Sequence, residues 1–206
     1  MTVTTIYANA NDGELLSSSN TYSKARSGSG SSKFLNANTT AFMTVGQLFS
    51  SPTYYCYEGF MEFDTASIAD NQAVSAVVLA WDGAGDGSTT DFTAQARAHD
   101  WDGSLDTADW VNGANLSGKT LHATWASTGY STSYSDFTSE AGFAAAISLT
   151  AALELIIVSN RLTNGTTPTG AEYVQMRTAD TAGTSEDPKL TVTHATLPRL
   201  ALMGVG

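Results

Sequence analysis

Charged side chains are scarce in this sequence, and their shortage limits the partners that the protein can have. They make up 14% of the 206 residues, against about 25% in an average globular domain. Lysine and arginine together number only 9, and the net charge is −11. Such a surface would repel phosphate backbones rather than collect them. We therefore expect no nucleic-acid partner.

Cysteine and long apolar runs are also nearly absent. The single cysteine, Cys56, excludes an intrachain disulfide and a cysteine-based metal site. No stretch reaches 18 consecutive apolar residues, so we expect no membrane span. The polar opening, MTVTTIYANANDGELL, lacks the charged and apolar parts of a secretory signal peptide. A route by lysis, by a dedicated export machine or inside an assembled particle is the expectation that follows.

What the sequence does contain is enough apolar material for one good-sized domain. Hydrophobic residues account for 42% and aromatic residues for 10%, and a chain of this length can bury roughly 70% of its unfolded surface. Because charge is scarce, serine, threonine, asparagine and glycine must supply the polar surface. This composition is typical of extracellular and virion β proteins.

Two-residue alternation is the dominant pattern and predicts strands. In YEGFMEFD, Met61 and Phe63 share one face, and we expect that face to be buried and the opposite, glutamate-bearing face to be solvated. FTAQARAH alternates in the same way, with alanines facing the core and Arg97 facing solvent. The same alternation in EYVQMRT and KLTVTH predicts four residues that face the core: Val174, Met176, Leu190 and Val192.

Other segments complete the expected fold. VSAVVLAW and LELIIVSN are apolar enough for central strands covered on both faces. Glycine, serine, asparagine and proline predict loops at Ser27 to Thr40, Asp82 to Asp91 and Thr163 to Gly170. Ser139 to Leu153 predicts a short helix or turn. The prediction is all-β: a single antiparallel β-sandwich of jelly-roll type over residues 1–196, with at most one or two short helices.

Catalytic constellations are weak in this chain. The densest carboxylate cluster places Asp100, Asp102, Asp106 and Asp109 around His99, and a glycosidase needs two carboxylates at a defined separation. We favour solvated loop acids as the interpretation. Nucleophile-elbow, phosphate-loop and paired-histidine metal motifs are missing from the sequence. We therefore predict a protein that is not an enzyme and that has no cofactor.

An acidic loop raises the question of calcium. Asp82, Asp86 and Asp91 lie in a glycine-rich stretch, and calcium prefers hard oxygen ligands. The spacing fails the EF-hand pattern, so a flexible hairpin loop is the prediction, with no metal assigned.

Aromatic residues in loop-rich sequence suggest carbohydrate binding as an alternative. Sugar sites combine exposed aromatic planes with hydrogen-bonding side chains. The candidate residues are Trp101, Trp110, Tyr130 and Tyr134. For the two tryptophans we prefer packing over an edge of the sandwich, and the two tyrosines stay open.

The order of several short motifs resembles a known family. FMEFDTASI, VSAVVLAW, HDWDGSLDTADW, FTSEAGFAAAI and SEDPKLTVTH resemble successive landmarks of DNRLRE, or disaggregatase-related, β-sandwich modules over roughly residues 20–194. The resemblance implies a β-sandwich that closes with the strand beginning at Pro188. The namesake Asp-Asn-Arg-Leu-Arg-Glu string is absent. EYVQMRTADTAGTSEDPKL is similar to the closing region of structural proteins from tailed bacteriophages.

These observations favour a non-enzymatic bacteriophage virion structural protein, as a capsid decoration, head-fibre or tail-associated sandwich. We expect it in the virion, in contact with other virion proteins and as a homo-oligomer, a trimer in the simplest case. The alternative is an extracellular carbohydrate-binding module or adhesin that binds a surface glycan, and a glycan-cleaving enzyme comes third.

The segment 197–206, LPRLALMGVG, is more apolar than any loop and follows the last predicted strand. An uncovered tail of this kind would promote aggregation. We therefore predict an assembly tail that docks on its own sheet edge or, by preference, on a neighbouring subunit, by strand addition or groove insertion. Its apolar residues are Leu197, Leu200, Leu202, Met203 and Val205.

Overall fold

The structure is a computed structural model, and over the residues that it describes the regular structure consists of thirteen β-strands, two short α-helices and five 3-10 turns. The structure describes residues 1–29, 32–37, 42–179 and 183–197, with backbone only for 32–37. The strands are β1 Thr2–Tyr7, β2 Gly13–Ser19, β3 Ser32–Ala37, β4 Phe42–Ser50, β5 Thr53–Phe63, β6 Gln72–Asp86, β7 Thr93–Ala98, β8 Leu121–Ala126, β9 Tyr134–Asp136, β10 Thr138–Ser139, β11 Leu153–Ser159, β12 Ala171–Arg177 and β13 Lys189–Thr196. The helices are α1 Tyr22–Ser27 and α2 Asn160–Asn164.

Every strand pair is antiparallel, and the strands form one continuous sheet that folds over on itself. The long strand β6 joins its two parts, because its first half pairs with β13 and its second half pairs with β12. We call β1, β13, the first half of β6 and β9 the small sheet. The other strands form the large sheet. The prediction of an all-β sandwich with at most two short helices is confirmed.

The first hydrophobic core fills the space between the two sheets. Met61 and Phe63 of β5 are fully buried there, as are Val174 and Met176 of β12. Trp81 of β6 lies in the same core and packs edge-on against Trp125 and Phe137, with ring centroids 4.8 and 4.5 Å away. Such edge-to-face pairs stabilise a core beyond their area burial. The inward-facing residues predicted on β5, β12 and β13 are confirmed.

A second hydrophobic core lies on the other side of the large sheet, and this corrects the expectation of a solvated face. Phe60 of β5 and both Ile156 and Val158 of β11 are fully buried under a cover formed by α1, α2 and the segment 99–118. Glu58 is also fully buried, and Arg97 of β7 is only 8% exposed. Alternation predicted the strands correctly, but it cannot show that a later segment covers the polar-looking face.

Two predicted loops are partly strands. The expected loop Ser27 to Thr40 contains β3, which pairs with β2 along its whole length. The expected loop Asp82 to Asp91 begins inside β6, which continues to Asp86. Gly83 permits this because a Cβ there would lie 2.1 Å from the carbonyl oxygen of Ser131, so this glycine allows a close backbone approach.

The remaining local predictions concern helices and the tail. The segment from Ser139, for which a short helix or turn is predicted, contains the 3-10 turn Ala144–Ala146. In the described part of the chain, no helix combines the length and apolarity that crossing a membrane requires. Leu197 is 51% exposed, while Leu200, Leu202, Met203 and Val205 lie outside the described residues.

Replacing Phe63 with alanine should cost about 3 to 5 kcal/mol of unfolding free energy, because a fully buried ring would leave a cavity in the first core. Chemical denaturation measures the change. Phe42→Ala is the matched control, since Phe42 is 40% exposed and should change stability by less than about 1 kcal/mol. Equal effects at the two positions would contradict this assignment of the core.

Candidate functional site

The two tryptophans of the predicted sugar site are buried in the cover over the large sheet. Trp101 is 3% exposed and packs on Phe60 with ring centroids 4.9 Å apart. Trp110 is 8% exposed and lies against Gly28, where a Cβ would be 2.5 Å from its ring. Buried rings do not supply the exposed planes that a sugar needs. Their placement agrees with the packing alternative.

The two tyrosines lie elsewhere, beside β6. Tyr134 begins β9 and pairs with Asp82. Its hydroxyl donates to the carbonyl of Asp187 at 2.7 Å, and the Nζ of Lys189 lies 3.5 Å from its ring centroid. Burial and the neighbouring acids raise the pKa of Tyr134 to about 12. Tyr134 is thus half-buried, with Lys189 over one ring face.

Tyr130 is partly buried, as Tyr134 is. It contacts the first core, and its ring lies close to Gly83. Burial, with the charges of Asp86 and Asp82, raises its pKa. The structure therefore brings the two tyrosines to one side of β6, away from Trp101 and Trp110.

The predicted carboxylate cluster is split by the structure. Asp106 and Asp109 close a capping box on the 3-10 turn Thr107–Asp109: Asp106 accepts from the N–H of Ala108, and Asp109 accepts from the N–H of Asp106. These two acids therefore satisfy local backbone groups.

Asp100 and Asp102 instead line a cleft of about 420 Å³ together with His99 and Glu154. We call these four residues the acidic cleft. Glu154 lies on β11 directly opposite Glu62 of β5, and residues paired in this way have Cβ atoms about 4.5 to 5.5 Å apart. The two strands thus place a second acid next to the cleft.

Glu154 is the electrostatically perturbed acid of the cleft. Burial raises the pKa of Glu154, the N–H of Trp101 opposes this rise by donating to its Oε2 at 2.6 Å, and the charges of Asp100 and Glu62 raise it further. Acids with raised pKa values can act as proton donors. The sequence signal for this residue is its position as the one charge inside the apolar run LELIIVSN.

His99 borders the cleft as a hydrogen-bonded neutral ring. The Nζ of Lys119 lies 2.9 Å from its Nδ1, and its Nε2 lies 3.2 Å from the carbonyl of Asp109. Lysine can only donate, so Nδ1 accepts and Nε2 carries the proton. Burial lowers the pKa of His99, which agrees with this neutral form.

The aspartates weighed for calcium hold local structure. Asp82 is 7% exposed, and burial raises its pKa. Asp86 accepts from Ser88, and Asp91 accepts from the hydroxyl of Ser127 at 3.0 Å. Across the ranges that the structure describes, no group of three or more histidine, cysteine or acidic side chains is arranged to hold a metal ion.

A buried polar network anchors the cover to the large sheet. Glu172 of β12 is fully buried and receives Nε and Nη2 of Arg161 at 2.7 and 3.0 Å. Gln47 donates to Glu172 at 2.6 Å, and the hydroxyl of Tyr22 donates to Gln47. This network joins α1 and α2 to two strands of the sheet. Alternation along β12 could not predict it, because its partners come from distant segments.

The outer face of the small sheet is the feature that residue-by-residue motif reasoning missed. The row of Tyr7, Lys189, Ala80 and Asp136 contains two charged side chains. The two rows beyond it contain none, and they are Val3, Thr193 and Ala76, and Thr5, Thr191 and Val78. We call these six residues the uncharged face. Val3 is 63% exposed, and Thr5 and Ala76 are exposed as well. The alternating threonines and valines of TVTTIY and KLTVTH are its sequence signal.

Comparison with models of known protein families and with curated proteins gives no match for this chain. The resemblance to DNRLRE modules therefore stays a prediction from the order of short motifs.

Glu154→Gln should change how stability depends on pH. Because the folded pKa of Glu154 is raised, its contribution to stability is full below its ordinary value of about 4.3 and is lost as pH rises through the folded pKa. The unfolding free energy of the wild type relative to Glu154→Gln should thus fall as the pH rises above about 4. Denaturation series at several pH values measure this difference.

Asp100→Asn supplies the control, because it removes one of the charges that raise the Glu154 pKa. In this background, the pH-dependent effect of Glu154→Gln should be smaller. If the effect of Glu154→Gln on the unfolding free energy does not vary with pH, either in the wild type or in Asp100→Asn, the pKa of Glu154 is not raised in the folded protein.

Glu172→Ala should cost about 2 to 4 kcal/mol of unfolding free energy, because it leaves a partly buried arginine and the amide of Gln47 without their acceptor. Glu186→Ala is the matched control. Glu186 is exposed and lies 3.6 Å from Arg177, so its loss should cost less than about 1 kcal/mol. A small effect of Glu172→Ala would mean that the network does not hold the cover in place.

Proposed function

We propose that the protein is a non-enzymatic structural protein of a bacteriophage virion that acts through subunit contacts. The observation that supports subunit contacts is the uncharged face. On a chain of net charge −11, two copies repel each other over most of their surface. The uncharged face lets an approaching subunit make contact without burying unpaired charge.

The chemistry of that face suits a protein contact. Val3 and Val78 supply apolar area, and Thr5, Thr191 and Thr193 supply short hydroxyl side chains with little conformational freedom to lose. In the described residues, β1 pairs only with β13 along its length, so the face ends at an open strand edge. Open edges are ready sites for pairing with another chain.

The virion part of the proposal is supported by the sequence. The closing region EYVQMRTADTAGTSEDPKL is similar to that of tailed-bacteriophage structural proteins, and this region supplies most of β12 and the start of β13. The neutral polar composition points the same way. A capsid decoration, a head fibre and a tail-associated sandwich all fit, and a homo-oligomer, a trimer in the simplest case, is the expected form.

Antibody labelling of purified phage particles from the source of the sequence tests the location. The expected result is one regular set of labelled positions on intact particles, together with the chain in their mass spectrum. A chain that stays wholly in the particle-free fraction would contradict the virion role.

Thr5→Asp tests the contact role of the uncharged face. A carboxylate placed there must be buried or excluded on association, so the dissociation constant of the oligomer should rise about tenfold or more. Light scattering over a concentration series measures this. Thr128→Asp, at an exposed turn residue, is the matched control and should leave association unchanged. Equal behaviour of the two variants, or a 21.5 kDa monomer for the wild type at high concentration, would contradict subunit contacts through this face.

For the carbohydrate-binding alternative, the remaining candidate for an aromatic contact with a sugar is Tyr134, beside β6. This half-buried ring lies beside Asp82 and under Lys189, which places polar groups around an aromatic plane. Glycan-array binding that is lost in Tyr134→Ala but kept in Tyr55→Ala would favour this alternative over the structural role.

A further inference from the structure

An apolar groove of about 480 Å³ lies at the edge of the small sheet. One wall is residues 74–77 of β6, and the other is residues 139–145. Val77 and Phe143 are 3% and 1% exposed and belong to the first core, so they form a firm floor. Exposed Ala141 and Ala145 line the outer wall. Its volume falls within the range of about 300 to 1,000 Å³ that is usual for ligand sites.

The groove lies beside an unpaired stretch of strand. On one side, β6 pairs with β13 from Gln72 onward. On the other side, β9 pairs with β6 only from Ala80, Phe137 donates to the carbonyl of Leu79, and Ser139 donates to the carbonyl of Val77. For the residues that the structure describes, positions 73–76 have no strand partner on this second side. An extended peptide can add to such an edge while its side chains fill the adjacent groove.

The charge of the groove limits what can fill it. Glu140 is the one ionisable side chain among the lining residues. A suitable occupant is therefore an extended apolar segment with a single positive charge at most. The segment LPRLALMGVG, residues 197–206, has this composition: it carries Arg199 and five large apolar side chains. Arg199 can pair with Glu140 while the apolar residues occupy the groove.

We propose that this groove binds residues 197–206 of a second copy of the chain. This inference rests on the proposed role in subunit contacts. It identifies the groove as the surface to which residues 197–206 bind. It assigns each subunit one donor segment and one acceptor groove, on different parts of the surface. Such a heterologous contact closes into a ring or continues as a row of subunits.

The position of Leu197 favours the second copy over the same chain. Leu197 donates its N–H to the carbonyl of Asn71 at 2.8 Å, so the tail leaves where the chain enters β6. Its own groove lies two strand spacings away, about 10 Å, and nine further residues could span about 30 Å. Length therefore permits either route. The route to its own groove, however, crosses the 64–71 connection at the same end of the small sheet, and connections at one sheet edge rarely cross.

Cross-linking between two variants of the full chain, each with one added cysteine, tests the contact. One carries Ala145→Cys in the groove, and the other carries Ala201→Cys in the tail and an affinity tag that changes its mass. The native Cys56 is fully buried, and burial raises the pKa of its thiol, so it should not react. A bismaleimide should give a heterodimer of the two variants. Ala114→Cys, at an exposed loop position, replaces Ala145→Cys in the control mixture and should give only background.

Two results would overturn the inference. One is a heterodimer yield no higher than that of the Ala114→Cys control. The other is a chain carrying both cysteines that cross-links within itself while the mixture gives no heterodimer, which would place the tail in its own groove.

Self-association supplies an independent measurement. Ala145→Glu puts a second carboxylate into the groove and should raise the dissociation constant about tenfold or more, whereas Ala114→Glu should leave it unchanged. Equal constants for these two variants would count against the groove.

The outcome is separable from that of the virion proposal. A chain that labels phage particles but gives no groove-to-tail product overturns this inference alone. A chain that cross-links as expected but is absent from particles overturns the virion role alone.

Discussion

Burial of the large sheet on both faces is the constraint on which the rest of this structure depends. β5 and β11 send Met61 and Ile157 into the first core and Phe60 and Ile156 into the second. A sheet covered in this way excludes water from both faces. Each polar group on its strands therefore needs a partner from the cover. The helices, the segment 99–118 and the buried acids are all arranged around that requirement.

The buried acids show how the requirement is met. Glu172 is held by the guanidinium of Arg161 and the amide of Gln47. Glu58 accepts from the backbone N–H of Val111 at 3.0 Å, and Asp12 accepts from that of Ala179 at 2.8 Å. In each case an acid on or near a strand fixes a segment that is distant in sequence. Some of the few charged side chains of this protein are thus buried, where they hold segments together, and do not contribute to the surface.

The small sheet faces the opposite situation, because only its inner face is covered. Two rows of its outer face consist of threonine, valine and alanine, whereas Lys189 and Asp136 in the next row are charged residues of the kind that usually protect an exposed sheet. The open edge at β1 and the apolar groove beside β6 lie at opposite edges of this sheet, and the uncharged face lies between them. This concentration of contact surfaces on one sheet is the structural argument for a protein that works by assembling.

The sequence was sufficient to predict strands at β5, β6, β7, β11, β12 and β13, because side-chain alternation and apolar runs are local properties that pairing then preserves. It identified the inward faces of β5, β12 and β13, and the apolar run that became β11. It also excluded a disulfide framework, since one cysteine cannot pair within a chain. It did not predict β3 or the end of β6, where glycine-rich composition resembles a loop but a neighbouring strand supplies the hydrogen bonds.

Only the tertiary structure decided which faces are covered and which residues meet. Burial of Trp101 and Trp110 depends on the segment 99–118 lying over β5 and β11. The meeting of Glu154 with Asp100 and Asp102, and of β6 with residues 139–145, depends on contacts across more than fifty residues. Alternation assigns residues to two faces of a strand, but solvent exposure depends on what packs against each face. The sequence therefore determined an all-β chain poor in charge, and the folded arrangement decided where that chain presents a surface for binding.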